Sequence, residues 1–369
     1  PAVHLLGLLT FIGWMLLGHG WEQALTAAIA VLIITCPCAL ALAVPAVQVA
    51  ASSRLFGQGV LVKAADGLER LSEVDTIVFD KTGTLTMGEP RLVDPQSSSD
   101  ELLSRAAALA AASRHPYARA VVKEARARGL DPVAATNVRE VPGAGLARET
   151  EHGEERLGSA AWCGVSGETG DLATLWFKPA DGDPVALRFE DQLRPDAAEV
   201  ISTLKNAGYR IELLSGDRPA AVEVAARETG IEHWHARQNP AQKIARLEAL
   251  RAEGRKVLMV GDGLNDAPAL AAAHASISPS TAADISQTTA DLVFQGERLG
   301  SVVEALAVAK ASHRMALQNF GLSLAYNTIF VPLAVAGYAT PLIAAIAMSS
   351  SSIAVTANAV RLRSKRLKV

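Results

Sequence analysis

Thr76-Ile77-Val78-Phe79-Asp80-Lys81-Thr82-Gly83-Thr84-Leu85-Thr86 carries an apolar, β-branched run straight into an aspartate and a polar turn. The pattern predicts a buried strand that ends at Asp80. Two later stretches repeat it. Arg210-Ile211-Glu212-Leu213-Leu214 runs into Ser215-Gly216-Asp217, and Lys256-Val257-Leu258-Met259-Val260 runs into Gly261-Asp262-Gly263. Helical patterns follow the second and third turns, over 219–229 and 267–273. Strands alternating with helices predict an α/β fold with a doubly wound parallel sheet. In such sheets ligands bind beyond the carboxyl ends of the strands. The three turns then converge and gather Asp80, Asp217, Asp262 and Asp266 near one point.

A strand-end aspartate followed by Lys81-Thr82-Gly83 can act as a nucleophile toward a phosphoryl group. That transfer needs positioning and charge neutralisation more than covalent machinery. Asp80 is the expected nucleophile. Asp262 is expected to hold magnesium, which suits a site of one or two carboxylates plus phosphate oxygens. Lys243 and the Ser215 hydroxyl are expected to contact the phosphate. A lone Asp-Lys-Thr is as often a solvated turn; three converging strand ends favour the functional reading.

The 369 residues carry a formal charge of −3 and are half hydrophobic, with a mean hydropathy of +0.21. The apolar excess lies at the ends, over 5–18, 24–47, 315–337 and 341–360. The last three match the roughly 20 residues that cross a bilayer. The first is short. It lacks the basic leader and small-residue cleavage site of a signal peptide. Because the chain begins at Pro1 rather than Met, it reads as a fragment.

Arg54, Lys63, Lys310, Arg314, Arg361, Arg363, Lys365, Arg366 and Lys368 flank the apolar runs on the side of the polar middle. The opposite loops, 18–23 and 338–340, hold no Lys or Arg. The positive-inside rule therefore places the middle in the cytoplasm, on a multi-pass protein of the cell (inner) membrane surrounded by lipid. The balanced charge argues against a nucleic-acid partner.

Between the first two strands lies an insertion of about ninety residues, 94–186, read as a separate small α+β domain. It opens with a loop over 95–100 and an Ala-rich helix over 102–112. Thr174-Leu175-Trp176-Phe177-Lys178 reads as one of its strands, and Asp191-Gln192-Leu193-Arg194-Pro195 as the returning hinge. The expected order is a helix pair in 1–60, catalytic core in 61–93 and 187–312 around the insertion, and a second helix pair with a basic tail in 313–369.

Cys36-Pro37-Cys38 lies inside the run 24–47. Proline breaks a helix and frees backbone groups, and such breaks at membrane depth line buried sites in transporters. Two free thiols beside the break make a soft ligand pair for Cu(I) or other thiophilic ions. Cys163 is the third cysteine, so no disulfide framework is expected. A divalent ion on two thiolates would be helped by a buried carboxylate, whereas a monovalent ion needs none. Neither 315–337 nor 341–360 contains Asp, Glu, Lys or Arg. That favours Cu(I) or Ag(I) over Zn(II) or Cd(II).

Asp80 to Thr86 resembles the phosphorylation signature of the P-type ATPases. Ser215-Gly216-Asp217 resembles their Thr-Gly-Asp motif, with Ser for the usual Thr. Gly261-Asp262-Gly263-Leu264-Asn265-Asp266-Ala267-Pro268 resembles their hinge motif. The resemblance implies a haloacid-dehalogenase-like phosphorylation domain, with Lys81 and Thr82 beside the nucleophile. Asp80, Thr82, Asp262 and Asp266 would hold Mg2+, and Asn265 would join that network. Ser113-Arg114-His115-Pro116 and Gly143-Ala144-Gly145 resemble the nucleotide-binding domain of the heavy-metal branch, although members often carry Glu where Arg114 stands. There His115 and Pro116 would meet the adenosine side of ATP, and Gly143 and Gly145 would let backbone approach the nucleotide.

Cys-Pro-Cys, with Asn319, Tyr326 and Asn327 and then Met348, Ser351 and Ser352, looks like the copper(I) subgroup. The finer resemblance is to the copper exporters that serve cytochrome oxidase assembly. It implies a copper chaperone as donor and a periplasmic acceptor. The amino-terminal metal-binding domain, the first helices and the actuator domain of that family find no counterpart in the sequence. A fragment of this kind is expected to phosphorylate Asp80 without completing a transport cycle. Three competing readings are a zinc or cadmium exporter, a haloacid-dehalogenase-type phosphatase, and a metal-binding membrane protein that has lost catalysis. Asn and Ser in apolar helices can also simply tie helices together.

Overall fold

The structure is a computed structural model that describes residues 2–93, 99–166, 173–262, 266–281, 284–364 and 367. Three helices open the chain: α1 (Ala2–Leu16), α2 (Trp21–Ile34) and α3 (Cys38–Gly57). Then come β1 (Val60–Val62), α4 (Gly67–Ser72) and β2 (Thr76–Asp80), which a tight turn over Lys81–Leu85 joins to β3 (Thr86–Val93). The insertion holds α5 (Asp100–Ala110), α6 (Pro116–Ala127), β4 (Arg139–Val141), β5 (Gly145–Thr150), β6 (Gly153–Gly158), β7 (Ala173–Lys178) and β8 (Val185–Leu193).

The chain then returns through α7 (Ala197–Asn206), β9 (Arg210–Leu214), α8 (Pro219–Thr229), β10 (His233–His235), α9 (Pro240–Ala252) and β11 (Val257–Val260). The core closes with α10 (Ala267–Ala272), β12 (Ala275–Pro279), α11 (Asp284–Thr289) and β13 (Leu292–Phe294). Two long helices end the chain, α12 (Gly300–Val335) and α13 (Pro341–Val360).

One sheet runs in the order β1-β13-β12-β11-β2-β9-β10. Its strands are parallel except at the β1 edge. All five residues of β2 are buried, as a strand covered on both faces requires. Its side chains alternate. Ile77 and Phe79 join Leu213, Leu258 and Val260 on the face packed by α3 and α12. Val78 and Met259 face α9 and α10 through Leu247, Leu250 and Leu270.

The insertion is a second, antiparallel sheet in the order β3-β8-β7-β6-β5-β4. Leu103 and Leu109 of α5 and Val121 of α6 pack on Leu157, Phe177 and Phe189 of this sheet. Its sheet starts at Thr86 and ends at Leu193, reaching beyond 94–186 on both sides, because β3 and β8 pair with each other. Most of the loop expected over 95–100 lies outside the described residues.

Glu212 on β9 has a fully buried side chain that accepts from Arg246 at 2.7 and 2.9 Å and lies 2.7 Å from Arg210. Burial pushes its carboxyl up, but the two guanidiniums outweigh this and hold it below its ordinary value. A depressed carboxyl stabilises above its unfolded pKa, near 4.3, and that stability is lost as pH falls through the folded value. Glu212→Gln is expected to cost about 2 kcal/mol at pH 7, less than a fully dry pair because both arginines keep some water. The difference from the parent should shrink below about pH 4, which denaturant titrations at pH 7 and pH 3.5 would measure.

At the helical end two of the four expected crossings meet the length and apolarity of a span. Among the described residues, two stretches are long and apolar enough to cross a bilayer, Trp21–Gly57 and Pro341–Arg363. The run 5–18 forms the short helix α1. The run 315–337 is the far part of α12, where Gln318, Asn319, Ser323 and Asn327 dilute the apolar character. The near part of α12 packs Val302, Leu306 and Val308 into the catalytic core. One helix of 36 residues thus runs about 54 Å, from the parallel sheet into the helix bundle.

Candidate active site

Register carries the three predicted turns to one edge of the sheet. Asp80 is level with Leu214 on β9, and Phe79 with Val260 on β11. Ser215 and Asp262 therefore emerge on either side of Asp80. Lys243 comes from α9, whose start is fixed by Pro240 and a reciprocal cap between Asn239 and Gln242. Its ammonium lies 2.6 Å from both Asp80 Oδ1 and Asp266 Oδ1. Asp80, Lys243 and Asp266 are all buried.

Carboxylate oxygens of Asp80, Asp262 and Asp266 lie within 4.8 Å of one another. Burial, and then the Asp266 charge, push Asp80 up to about 7 against the pull of Lys243. Burial and Asp266 likewise push Asp262 up to about 7. Burial opposes the charge on Lys243, yet Asp80 and Asp266 outweigh it and raise the ammonium above its ordinary value. Three carboxylates thus share one nearby ammonium. An all-oxygen donor set with surplus negative charge fits a hard divalent cation such as Mg2+.

Gly83 has φ +69°, and a Cβ there would lie 1.5 Å from Asp262 Oδ2. No side chain fits between this turn and the acidic cluster. Lys81 Nζ reaches Asp217 Oδ2 at 2.5 Å. The Ser215 hydroxyl accepts from the Asp217 amide at 3.1 Å and so shapes the Ser215-Gly216-Asp217 turn. Asn265 lies outside the described residues.

A cleft of about 1010 Å3 opens from this site toward the insertion, lined among others by Lys81, Thr82, His115, Pro116, Tyr117 and Asp217. His115 caps α6 by accepting from the Tyr117 amide at 3.3 Å. Gly143 and Gly145 do not line the cleft. The need for glycine at Gly145 comes from β6, because a Cβ there would lie 2.3 Å from the Leu157 carbonyl.

Sequence reasoning did not single out Arg194, Thr86 or Asp191 for the site. The Thr86 hydroxyl accepts from the Gly83 amide at 3.0 Å and lies 2.5 Å from Asp191 Oδ2. Arg194 is buried against the turn that follows Asp80. Its place beside a proline in a hinge was the only sequence signal.

At the helical end, Cys36 and Cys38 flank Pro37 between α2 and α3. Free thiols were expected; the structure joins them in a disulfide, their Cα atoms 5.5 Å apart. The break at Pro37 brings the two side chains within the usual span of such a bridge. Ile34 on one side of the break packs in a cluster with Tyr326 and Phe330. Ala39 and Ala43 on the other pack on Val355 of α13.

Asn319 donates to the Ala43 carbonyl at 3.1 Å and accepts from Asn358 at 2.9 Å, tying α12 to α3 and α13. The Tyr326 hydroxyl and Asn327 Oδ1 are buried with no hydrogen-bond partner among the described residues. Met348, Ser351 and Ser352 are half-buried on α13, and Ser351 shares a cavity of about 530 Å3 with Tyr326.

A buried aspartate at a parallel strand end, a lysine across it and two further aspartates define a haloacid-dehalogenase-like phosphoryl-transfer site. The family profile of haloacid dehalogenase-like hydrolases matches residues 74–274. The chain belongs to the P-type ATPases within that fold. It is 49% identical over 364 residues to the nitrogen fixation protein FixI of Rhizobium meliloti (strain 1021), covering 98% of this chain and 48% of FixI. It is 38% identical over 394 residues to a copper-transporting P-type ATPase of Rhizobium leguminosarum bv. viciae, covering 100% of this chain and 47% of that one.

Among solved structures it resembles a zinc-transporting PIB-type ATPase in the E2.Pi state. That match has a TM-score of 0.79 at 30% identity and covers 98% of this chain and 62% of the other. The chain spans about half the length of the curated relatives it matches.

Proposed function

We propose that this chain is the catalytic and ion-conducting part of an ATP-driven exporter of Cu(I), working through an aspartyl phosphate on Asp80. The observation that carries the reading is one chain that holds both the Lys243-bridged Asp80 site and a Cys36-Pro37-Cys38 helix break. Asp80 attacks the terminal phosphorus of ATP, and ADP leaves. Lys243 neutralises charge on the incoming phosphate, and the Ser215 hydroxyl and Lys81 orient its oxygens. Asp80, Asp262 and Asp266, with Thr82 lining the cleft beside them, would hold Mg2+, which would supply further charge neutralisation. His115 and Pro116 meet the adenosine side across the cleft.

In their reduced form Cys36 and Cys38 offer two thiolates to Cu(I), with Ag(I) as a further cargo of the same softness. Tyr326, Asn327, Met348, Ser351 and Ser352 offer ligands from the neighbouring helices, and Asn319 holds those helices in register. Nothing charged lies in the centres of the two later runs, which favours copper over the zinc carried by the structural neighbour. The catalytic body faces the cytoplasm of a membrane protein that takes copper from a chaperone and gives it to a periplasmic acceptor.

The testing experiment compares ATP hydrolysis in membranes with Cu(I), Ag(I) and Zn(II) under reducing conditions. Stimulation by Cu(I) is expected, and stimulation by Zn(II) alone would sink the copper assignment. Cys36→Ser and Cys38→Ser should each lower Cu(I) affinity by about a hundredfold or more, read by competition with a chromogenic chelator.

A further inference from the structure

We infer that Arg194 is the residue that sets the shape of the phosphorylation turn, and so the positioning residue behind Asp80 and Asp262. The inference rests on the reading of Asp80 as nucleophile. The turn Lys81–Leu85 breaks helical geometry at Thr82 and Gly83, so its carbonyls lack a regular ladder of their own. Arg194 supplies the donors. Its Nε donates to the Thr84 carbonyl at 2.7 Å and its Nη2 to the Gly83 carbonyl at 3.0 Å. Its Nη1 donates to the Gly296 carbonyl at 3.1 Å, and its own amide donates to the Leu85 carbonyl at 2.8 Å.

A residue 3% exposed therefore holds three successive carbonyls of the turn, while the third arm of its fork is anchored on the loop after β13. Its guanidinium lies over the Phe294 ring, 5.7 Å from the centroid. No carboxylate of the described residues lies within ion-pair distance of it, and burial lowers its pKa against the longer-range attraction of Asp196, Asp262, Glu297 and Asp191. Burying an unpaired guanidinium is costly, and the planar fork is what matches several fixed carbonyls at once.

The tolerance at this turn is small, because Gly83 sits where even a methyl group would overlap Asp262. A turn that slackened by a few tenths of an ångström would move Lys81 and Thr82 on one side and crowd Asp262 on the other. Arg194 also stands one residue beyond β8, whose last residue, Leu193, pairs with Thr86 directly after the turn. The fixed end of the hinge and the catalytic turn are thus held by one side chain.

Holding the turn should affect the chemical step whatever the phosphoryl donor. The test follows phosphoenzyme formation by the full protein in reduced membranes, with ATP and separately with acetyl phosphate. The phosphoryl group passes to Asp80 as ADP or acetate leaves. Arg194→Lys keeps the charge but loses the fork, and Arg194→Gln keeps part of the fork but loses the charge.

Both variants should unfold cooperatively and lose about tenfold or more in rate with each donor, with half-saturating concentrations within about twofold of the parent. Parent-like rates in the folded variants would overturn the assignment. So would a loss confined to ATP, which would place the effect in nucleotide binding. A loss that only tracks the unfolded fraction would make Arg194 a fold residue and nothing more. A parent protein that takes no phosphate on Asp80 from either donor would overturn the nucleophile as well.

Discussion

Asp80→Asn is expected to abolish phosphoenzyme formation while leaving the protein folded. The substituted amide cannot form the acyl phosphate, so the loss should exceed about ten-thousandfold, to the limit of detection. Its effect on stability should have the opposite sign. Three carboxylates crowd around Lys243, and burial with the Asp266 charge pushes Asp80 up to about 7. A carboxyl whose folded pKa is raised binds its proton more tightly in the folded state. The parent therefore loses stability as pH rises from its unfolded value, near 4, to about 7. The amide has no such dependence. With Mg2+ chelated, Asp80→Asn should melt at or above the parent temperature at pH 8 and lose most of that advantage at pH 5. Melting curves at the two pH values, beside a phosphorylation assay, separate lost chemistry from lost fold.

Gly83→Ala should be nearly as damaging to activity, for a steric reason. The added methyl carbon would lie 1.5 Å from Asp262 Oδ2 and 2.4 Å from its Cγ. The left-handed backbone at φ +69° also disfavours any side chain. Asp262 is half-buried and stands within the acidic cluster, so either the turn or the carboxylate must move. Either movement disturbs the group proposed to hold Mg2+. We expect a loss of about a thousandfold in phosphorylation rate and a lower Mg2+ affinity, with a stability cost of about 2–3 kcal/mol. Titrating Mg2+ in the phosphorylation assay would show both. A rate within about threefold of the parent at saturating Mg2+ would contradict the steric account.

The catalytic edge was largely legible in the sequence. β2, β9 and β11 are short apolar runs, each ended by a glycine-containing polar turn, and the crossover rule brings such ends together. Lys243 was expected at the phosphate, and the structure brings it to Asp80 from the capped start of α9. What remained hidden depends on packing across distant segments. Arg194 reads as a hinge arginine until the structure shows which carbonyls it holds. Gly83 reads as a turn glycine until Asp262 appears beside it. Gly143 and Gly145 pointed to a nucleotide loop, yet backbone packing of β5 on β6 already requires Gly145. Hydropathy placed a span over 315–337 but could not show that α12 starts at Gly300, since its first half is apolar to meet the sheet.

The continuity of α12 gives the account a physical route between its two ends. Val302 and Leu306 lie in the core that also holds Phe79, one residue before the nucleophile. Asn319 on the same helix holds the backbone of α3 five residues beyond Cys38. α12 thus joins the packing beneath Asp80 to the helix that follows the Cys36-Pro37-Cys38 break as one continuous element.

The most direct test of the central claim is metal-dependent phosphorylation in reduced membranes, using radiolabelled ATP and mapping of the labelled peptide. Cu(I) should raise an acid-stable, hydroxylamine-sensitive phosphoenzyme located on Asp80, and Cys36→Ser should remove the metal response without removing ATP binding. Label that forms equally without Cu(I), or that maps to any residue other than Asp80, would contradict the account.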